Sequence, residues 1–325
     1  MKKIGVLTSG GDAPGMNAAV RAVIRTARYL DMEVVGVQYG YKGLLEEKFV
    51  PYDMRGVCDI IHRGGTKLYT ARCPEFKKEE VVRQAVQNAK AAGIEGLVVI
   101  GGDGSFRGAR DLSNFGLPCI AIPGTIDNDI VCTDYTIGFD TCLNTIQALV
   151  DRLRDTIESH SRCMVVEVMG ARAGYLTLNA GIAVGATAIV IPEIPYDIDK
   201  NVIEKIKRTA ATGKHHFIVM VAEGVRMRDG ITVEEIAKKI EAETAVETRS
   251  IVLGHIQRGG SPSVRDRVVA SQMGHKAVHL LHEGESNRVV VMHGETITDH
   301  DINEALDMSK TIDKDLYNCA MEISL

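Results

Sequence analysis

No apolar run in the chain approaches the ~20 residues that a membrane-spanning helix requires, and no signal-peptide pattern opens it. The seven cysteines are odd in number and scattered, without a C-x-x-C pair. That pattern disfavours a disulfide framework and reads as reduced thiols in a cytoplasmic protein. Internal repeats and low-complexity tails are also missing. So are the two commonest nucleotide signatures, the Walker loop ending in Lys-Ser/Thr and the dinucleotide G-x-G-x-x-G. A net charge of −5 excludes a general nucleic-acid binder, so an anionic ligand would need local arginine clusters. With 325 residues, 45% hydrophobic and 25% charged, the composition is ordinary and leaves room for a large core and two domains.

What is present is a repeated local grammar: an apolar run that breaks into a glycine-rich turn. Ile4-Gly5-Val6-Leu7 leads into Thr8-Ser9-Gly10-Gly11-Asp12-Ala13-Pro14-Gly15. Leu97-Val98-Val99-Ile100 leads into Gly101-Gly102-Asp103-Gly104-Ser105, and Cys119-Ile120-Ala121-Ile122 into Pro123-Gly124-Thr125-Ile126-Asp127-Asn128-Asp129-Ile130. Short continuous apolar runs are the mark of strands buried on both faces. Parallel α/β sheets hold ligands at the carboxyl ends of such strands. Glycines let backbone N–H groups approach a phosphate, and a helix start adds its positive end. Asp103 is placed to hold a Mg²⁺ that bridges phosphates. Asp127 and Asp129 would repel one another unless a metal, a proton or a cationic ligand lay between them. Three such loops together point to a large anionic ligand across the sheet edge.

Along the chain, Lys3 to Leu7 reads as a strand and Gly15 to Leu30 as a helix that carries Arg21 and Arg25 on one face. Glu33 to Gln38 reads as a second strand, and Tyr39 to Gly65 as irregular. A polar-faced helix spans Lys78 to Ala92, and a short one Gly104 to Phe115. From Gly138 the spacing of Leu143, Ile146, Leu149, Val150 and Leu153 gives a long helix to about Ser159, with Arg152, Arg154 and Arg162 near its end. Strands at Met164 to Met169, Ala188 to Ile191 and Phe217 to Ala222 alternate with helices near Asn201 to Thr212 and Thr232 to Glu243, a second β-α-β-α run. Ile251 to Leu253 feeds the loop at His255, and Val264 to Glu283 is a further helix. His275, His279 and His282 share a face of it, but no carboxylate or cysteine completes a metal set, so a solvated stripe is expected.

The stretches Leu7-Thr8-Ser9-Gly10-Gly11-Asp12, Tyr69-Thr70-Ala71-Arg72-Cys73-Pro74-Glu75-Phe76, Gly101 to Ser105, Pro123 to Ile130 and Leu253-Gly254-His255-Ile256-Gln257-Arg258-Gly259-Gly260-Ser261-Pro262 resemble the bacterial ATP-dependent 6-phosphofructokinase family (phosphofructokinase A), in family order and over essentially the whole chain. The resemblance implies an α/β fold of two doubly wound three-layer α/β/α lobes with the active site in the cleft between them. Residues 1–138 plus 251–304 would form a nucleotide-binding lobe, and 139–250 plus 305–325 a sugar-phosphate-binding lobe. The implied reaction is phosphorylation of fructose 6-phosphate at its 1-hydroxyl by MgATP. Asp127 would be the general base, Thr125 would bond the transferring group, and Asp129 would orient Asp127 or the metal's water shell. Asp103 would hold Mg²⁺, while Gly11, Arg72, Cys73, Gly102, Gly104, Ser105 and Gly108 line the nucleotide. Arg162, Met169, Gly170, Glu223, Arg249, His255 and Arg258 match the sugar-phosphate positions, with Arg162 and Arg249 reaching a neighbouring subunit of a homotetramer.

A family effector site between subunits matches Arg21, Arg25, Arg154, Gly185, Lys214 and His216. The position of an effector-bound Mg²⁺ acid is Thr187, however, Thr212 stands where a basic residue is usual, and His215 replaces a lysine. Gly104 and Gly124 stand where the pyrophosphate-using branch carries an aspartate and a lysine, which favours ATP. Most catalytic members place an arginine directly after Gly170; here that place is Ala171, and the arginine follows at Arg172. Small-molecule substrates and self-association are the expected partners, with no nucleic acid and no membrane. A pyrophosphate-dependent enzyme, another sugar-phosphate kinase and a non-catalytic regulatory paralogue are the alternatives.

Overall fold

The buried apolar runs assemble into two separate sheets in a computed structural model that describes residues 1–324. In chain order the strands are β1 (Lys3–Thr8), β2 (Glu33–Val37), β3 (Phe49–Tyr52), β4 (Gly96–Gly101), β5 (Cys119–Pro123), β6 (Cys163–Val168), β7 (Ala188–Val190), β8 (Phe217–Ala222), β9 (Thr248–Val252), β10 (Arg288–His293) and β11 (Thr296–Asp301). The first sheet runs β11-β10-β5-β4-β1-β2-β3, and the second β7-β8-β6-β9. Two compact units correspond to them. The first comprises residues 1–126, 130–141 and 258–310, and the second 127–129, 142–257 and 311–325.

In the first unit β1 lies between β2 and β4, parallel to both, with Val6 opposite Gly36 on one side and Val98 on the other. The chain leaves β1 towards β2 and later returns on the other side to add β4 and β5. The β1/β4 boundary is therefore a topological switch point, where α/β sheets open a crevice at the strands' carboxyl ends. Every residue of β4 and β5 is buried, as expected for strands covered on both faces. One layer of the core packs Leu7, Val37, Leu97, Val99, Ala121 and Val291 against Phe106, Leu112 and Val86 of the covering helices. On the helix pair Met16–Tyr29 and Val264–His282, a Cβ at Gly274 would fall 2.9 Å from the Ala19 carbonyl. Only a glycine allows that approach.

The second unit's four strands are all parallel. Cys163, Val165, Val219 and Val221 pack there against Ile206, Ile236 and Ile240. Thr232 and Glu235 form a reciprocal capping box that starts the helix Val233–Thr244.

The structure adds the β10–β11 hairpin, which the sequence reading did not include, and departs from that reading at four further places. Residues 39–65 are not wholly irregular: they hold a helix at Gly40–Leu45 and the edge strand β3, which pairs antiparallel with β2. Both are too short to show a period, and Pro51 is tolerated in β3 because an edge leaves one side free of the ladder. The helix after β4 begins at Asp103 rather than Gly104. The strand before the His255 loop begins at Thr248 rather than Ile251. Part of the expected helix near 201–212 is a π-helical turn over Asp199–Ile203.

Candidate active site

Three glycine-rich loops leave the carboxyl ends of β1, β4 and β5, and hydrogen bonds tie them together. Ser9 N donates to the Ile100 carbonyl at 2.9 Å, and Gly124 N to the Gly101 carbonyl at 2.9 Å. A Cβ at Gly101 would lie 2.5 Å from the Ser9 carbonyl and 2.4 Å from Ser105 Oγ, so a glycine is what lets the loops meet. At Gly102 and Gly104 the opposite holds: a Cβ would meet nothing within 4 Å. These two glycines face open space over the first turn of the helix Asp103–Asn114, where free N–H groups attract anions. Asp103 is the first residue of that helix. Its carboxylate is 54% exposed, with Oδ2 accepting from Arg107 Nε at 3.1 Å. Ser105 is buried beside it.

Gly108, expected at the nucleotide, is buried under Tyr41: a Cβ there would fall 2.6 Å from the ring. Tyr41 also donates to the Ser105 carbonyl at 2.5 Å and stacks on Phe76 at 4.3 Å. It thereby links the Asp103 helix to the turn Pro74–Lys77 that follows Arg72 and Cys73. The approach to that turn is pinned by Thr70 Oγ1 on the Gly10 carbonyl (2.7 Å) and Thr8 Oγ1 on the Tyr69 carbonyl (2.9 Å). Arg72 is left exposed. The Cys73 thiol is pushed up to about 11 by burial and by the hydrogen bond and charge of Glu75, so at neutral pH it is a thiol, not a nucleophilic thiolate.

Arg258, expected with the sugar phosphate, belongs to the first unit. Its Nη1 donates to the Asp12 carbonyl at 3.3 Å, and a Cβ at Gly11 would lie 2.7 Å from the same atom. The loop after β5 turns inward. Thr125, Asp127 and Asn128 are buried, Asn128 takes a left-handed conformation (φ 52°), and Asp129 is exposed.

In the second unit Met169, Gly170, Glu223 and His255 follow the carboxyl ends of β6, β8 and β9, whereas Arg162 and Arg249 lie at the amino ends of β6 and β9. Glu223 follows β8, and its Oε1 accepts from Gly170 N (3.0 Å) and Ala171 N (2.7 Å), so it braces the turn after β6. Met169 N donates to Oε1 of the fully buried Gln257 at 3.2 Å. Arg172 is exposed and lines a cavity of about 510 Å³ with Pro192, Glu193, Gly224, Met227 and Arg228. The Tyr175 hydroxyl is pushed up to about 12 by burial and then by the negative charges of Glu193 and Asp129. Glu247 draws Arg162 (Nε–Oε2 2.8 Å) and Arg249 (Nη2–Oε1 2.6 Å) to one carboxylate, while His255 is exposed beyond β9. The arginines hold the Glu247 carboxyl below its ordinary range, Arg162 foremost.

The expected effector residues form one basic group in each unit. Arg21 and Arg25 lie on the helix Met16–Tyr29, and burial with Arg25's charge lowers the Arg21 pKa. Arg154, Lys214 and His216 share the second unit. Burial and the Arg154 charge depress Lys214. Burial, with Lys214, Arg154 and His215 against the opposing Glu158, depresses His216, which is therefore neutral at pH 7. Gly185 takes a left-handed conformation (φ 57°), and Thr187 is buried.

Sequence reasoning missed Glu247, Gln257 and Tyr41, whose partners Arg162, Met169 and Ser105 are distant in sequence. Glu247 had one signal, its place two residues before Arg249, since alternate strand residues share a face.

The phosphofructokinase family model matches residues 3–281. The ATP-dependent 6-phosphofructokinases of Bacillus cytotoxicus and Bacillus pumilus are each 55% identical over 325 residues, covering the whole of both chains. Among solved structures, a phosphofructokinase from Saccharomyces cerevisiae superposes with a TM-score of 0.89 at 35% identity, covering all of this chain and 48% of that one. A pyrophosphate-dependent phosphofructokinase from Marinobacter aquaeolei shares the fold, with a TM-score of 0.84 at 21% identity over 96% of this chain and 86% of that one. By family match and by full-length identity to curated relatives, the chain belongs to the phosphofructokinase family.

Proposed function

We propose that the chain transfers the γ-phosphoryl group of MgATP to the 1-hydroxyl of fructose 6-phosphate, with Asp127 as general base. The observation that carries this is the loop set of the first sheet. Its glycines at 102 and 104 open onto free space over a helix start, one strand away from a loop that bears Thr125 and Asp127. Transfer to a hydroxyl needs an in-line nucleophile, charge neutralisation on the phosphoryl oxygens and exclusion of water. In this reading Gly11, Gly102, Gly104 and Ser105 receive the phosphates, with Arg72 as a cation. Cys73 and Gly108 shape the nucleotide side, Gly108 through the Tyr41 contact. Thr125 bonds the transferring group. Asp127 takes the hydroxyl proton, helped by a buried setting that keeps water from competing for it. Asp129 orients Asp127. His255 and Arg258 offer donors and charge to the sugar phosphate, Arg162 and Arg249 reach it from a neighbouring subunit, and Met169, Gly170 and Glu223 meet its body.

Asp103 would hold the Mg²⁺. Its hard carboxylate oxygen, more than half exposed on a helix start, suits a cation that keeps water and phosphate oxygens as its other ligands. When bound, the ion neutralises charge on the phosphates. The ATP-named relatives, together with open space at Gly104, favour ATP over pyrophosphate. A coupled assay with fructose 6-phosphate and either ATP or pyrophosphate tests the reading. Turnover with ATP is expected; turnover with pyrophosphate alone, or with neither, would refute it.

We further infer a homotetramer. β9 is a sheet edge, and Val252 and Ile256 beside it are half-exposed or more, as are Val264 and Val268 on the helix Val264–His282. Unpaired edges and apolar patches of this kind are usually covered by a partner. Light scattering should give four times the 35.3 kDa chain mass, and a monomer would contradict it. Among the described residues no disulfide forms, which supports a reducing compartment, the cytoplasm. Among the described residues no helix is long and apolar enough to cross a membrane.

A further inference from the structure

Asp266, in the first turn of the helix Val264–His282, is fully buried, and no lysine or arginine forms an ion pair with it among the described residues. Its carboxylate instead collects four neutral donors from one short segment. Oδ1 accepts from the Tyr135 hydroxyl (2.6 Å) and Gly138 N (2.7 Å), and Oδ2 from Thr141 N (2.9 Å) and Thr141 Oγ1 (2.5 Å). Thr141 Oγ1 in turn accepts from Ser263 N at 2.9 Å, which closes the connection to the loop that begins at Arg258. Segment 135–141 runs beside the end of β5. Ile137 N donates to the Pro123 carbonyl at 3.0 Å, Gly124 and Ile137 form a bridge, and Thr136 Oγ1 donates to the Thr125 carbonyl at 2.7 Å. One buried carboxylate thus fixes the segment that flanks Thr125.

We propose that Asp266 is a positioning residue for phosphoryl transfer: it holds residues 135–141, and through them Thr125 and the Asp127 loop, in register with the loops after β1 and β4. The proposal rests on the transfer roles given above to Thr125 and Asp127. An ionised carboxylate is the one side chain of this size that can accept from four donors at once; an amide would turn donors towards donors. Burial pushes the Asp266 carboxyl above its ordinary range, and the bonds from Thr141, Tyr135 and Gly138 work against that by stabilising the ionised form. A displacement of about 1 Å at a reacting group can cost a hundredfold in rate while leaving ground-state binding nearly intact.

The test is Asp266→Asn on the full chain, with fructose 6-phosphate and ATP varied independently. The expected result is a kcat about thirty- to a hundredfold below wild type, with both KM values within about threefold. Hydrogen exchange should speed up at the Ile137, Gly138 and Thr141 amides. Tyr135→Phe, which removes one donor and leaves the rest, should lower kcat about threefold to tenfold with the same KM pattern, and it serves alone if Asp266→Asn does not fold. A kcat within about twofold of wild type in the foldable variant, a KM that rises as kcat falls, or unchanged exchange at these amides would overturn the proposal. Wild-type turnover in the same assay tests the kinase reading separately, because only the ratio of variant to wild type bears on Asp266.

Discussion

Asp127 and Asp129 are two residues apart, yet the turn at Asn128 sends the first into the protein and leaves the second in solvent. Burial concentrates the electrostatic effect of the first and dilutes that of the second, so the pair divides into one candidate base and one orienting group. Asp127→Ser should lower kcat by several orders of magnitude, with apparent fructose 6-phosphate affinity within about tenfold, because a base acts on the transferred proton and not on the sugar's anchors. Steady-state kinetics and equilibrium binding on the same preparation check this; near-normal turnover would remove Asp127 from the role. At this scale the loop glycines were the most legible part of the sequence, since each is set by its own backbone. Glu247, Gln257 and Asp266 were opaque. A lone acid or amide shows its purpose only once the chain has folded Arg162 beside Glu247, Met169 beside Gln257, and Thr141 beside Asp266.

Among the elements, the strands of continuous apolar residues were readable because burial on both faces demands one composition from end to end. β3, the helix Gly40–Leu45 and the hairpin of β10 and β11 were not read. Two are too short to carry a period, and β11 is only partly buried at the sheet edge. The end of β6 is where element geometry decides a chemical question. Gly170 has φ 144° and Ala171 φ 53°, and Ala173 N returns to the Gly170 carbonyl at 2.9 Å, so the chain makes a tight turn with an alanine in the left-handed region. Both amides of the turn are held by Glu223, which fixes where residue 172 points. Arg172 lines the cavity with Glu193 and Arg228, the latter already paired with Asp229 at 2.7 Å. A cation placed to stabilise transferring charge is worth far more than one spent on a surface cavity. Arg172→Ala should therefore change kcat by less than about tenfold; a thousandfold loss in the same assay would show that Arg172 serves the transferring group.

For the whole molecule, the open question is how turnover is regulated, and the two basic groups bear on it. The expected effector residues are present in both units, but their charge is thinner than their number suggests. Lys214 is depressed by burial beside Arg154, His216 is neutral at pH 7, and the Arg154 guanidinium is occupied by the Val184 carbonyl. Where an acid would assist an effector's Mg²⁺ stands Thr187, 1% exposed, its hydroxyl buried without a hydrogen-bond partner among the described residues. A buried neutral hydroxyl is a poor magnesium ligand beside a carboxylate. Thr212 and His215, both exposed, stand where the family carries basic residues, and charged hydrogen bonds to phosphate are worth roughly 1.5–3 kcal/mol each. Arg21 and Arg25, together on the helix Met16–Tyr29, can still attract an anion. We therefore expect MgADP to activate weakly or not at all. Fructose 6-phosphate saturation curves at fixed ATP, repeated with rising MgADP, should superpose within about twofold in half-saturation, because the differential affinity that drives any shift would be small. Lowering the pH below the ordinary histidine range should strengthen what anion binding there is, since His216, its pKa depressed by burial, then takes up a proton beside Arg154 and Lys214. A large leftward shift at neutral pH would mean that the effector is held without the acid and the two lost cations.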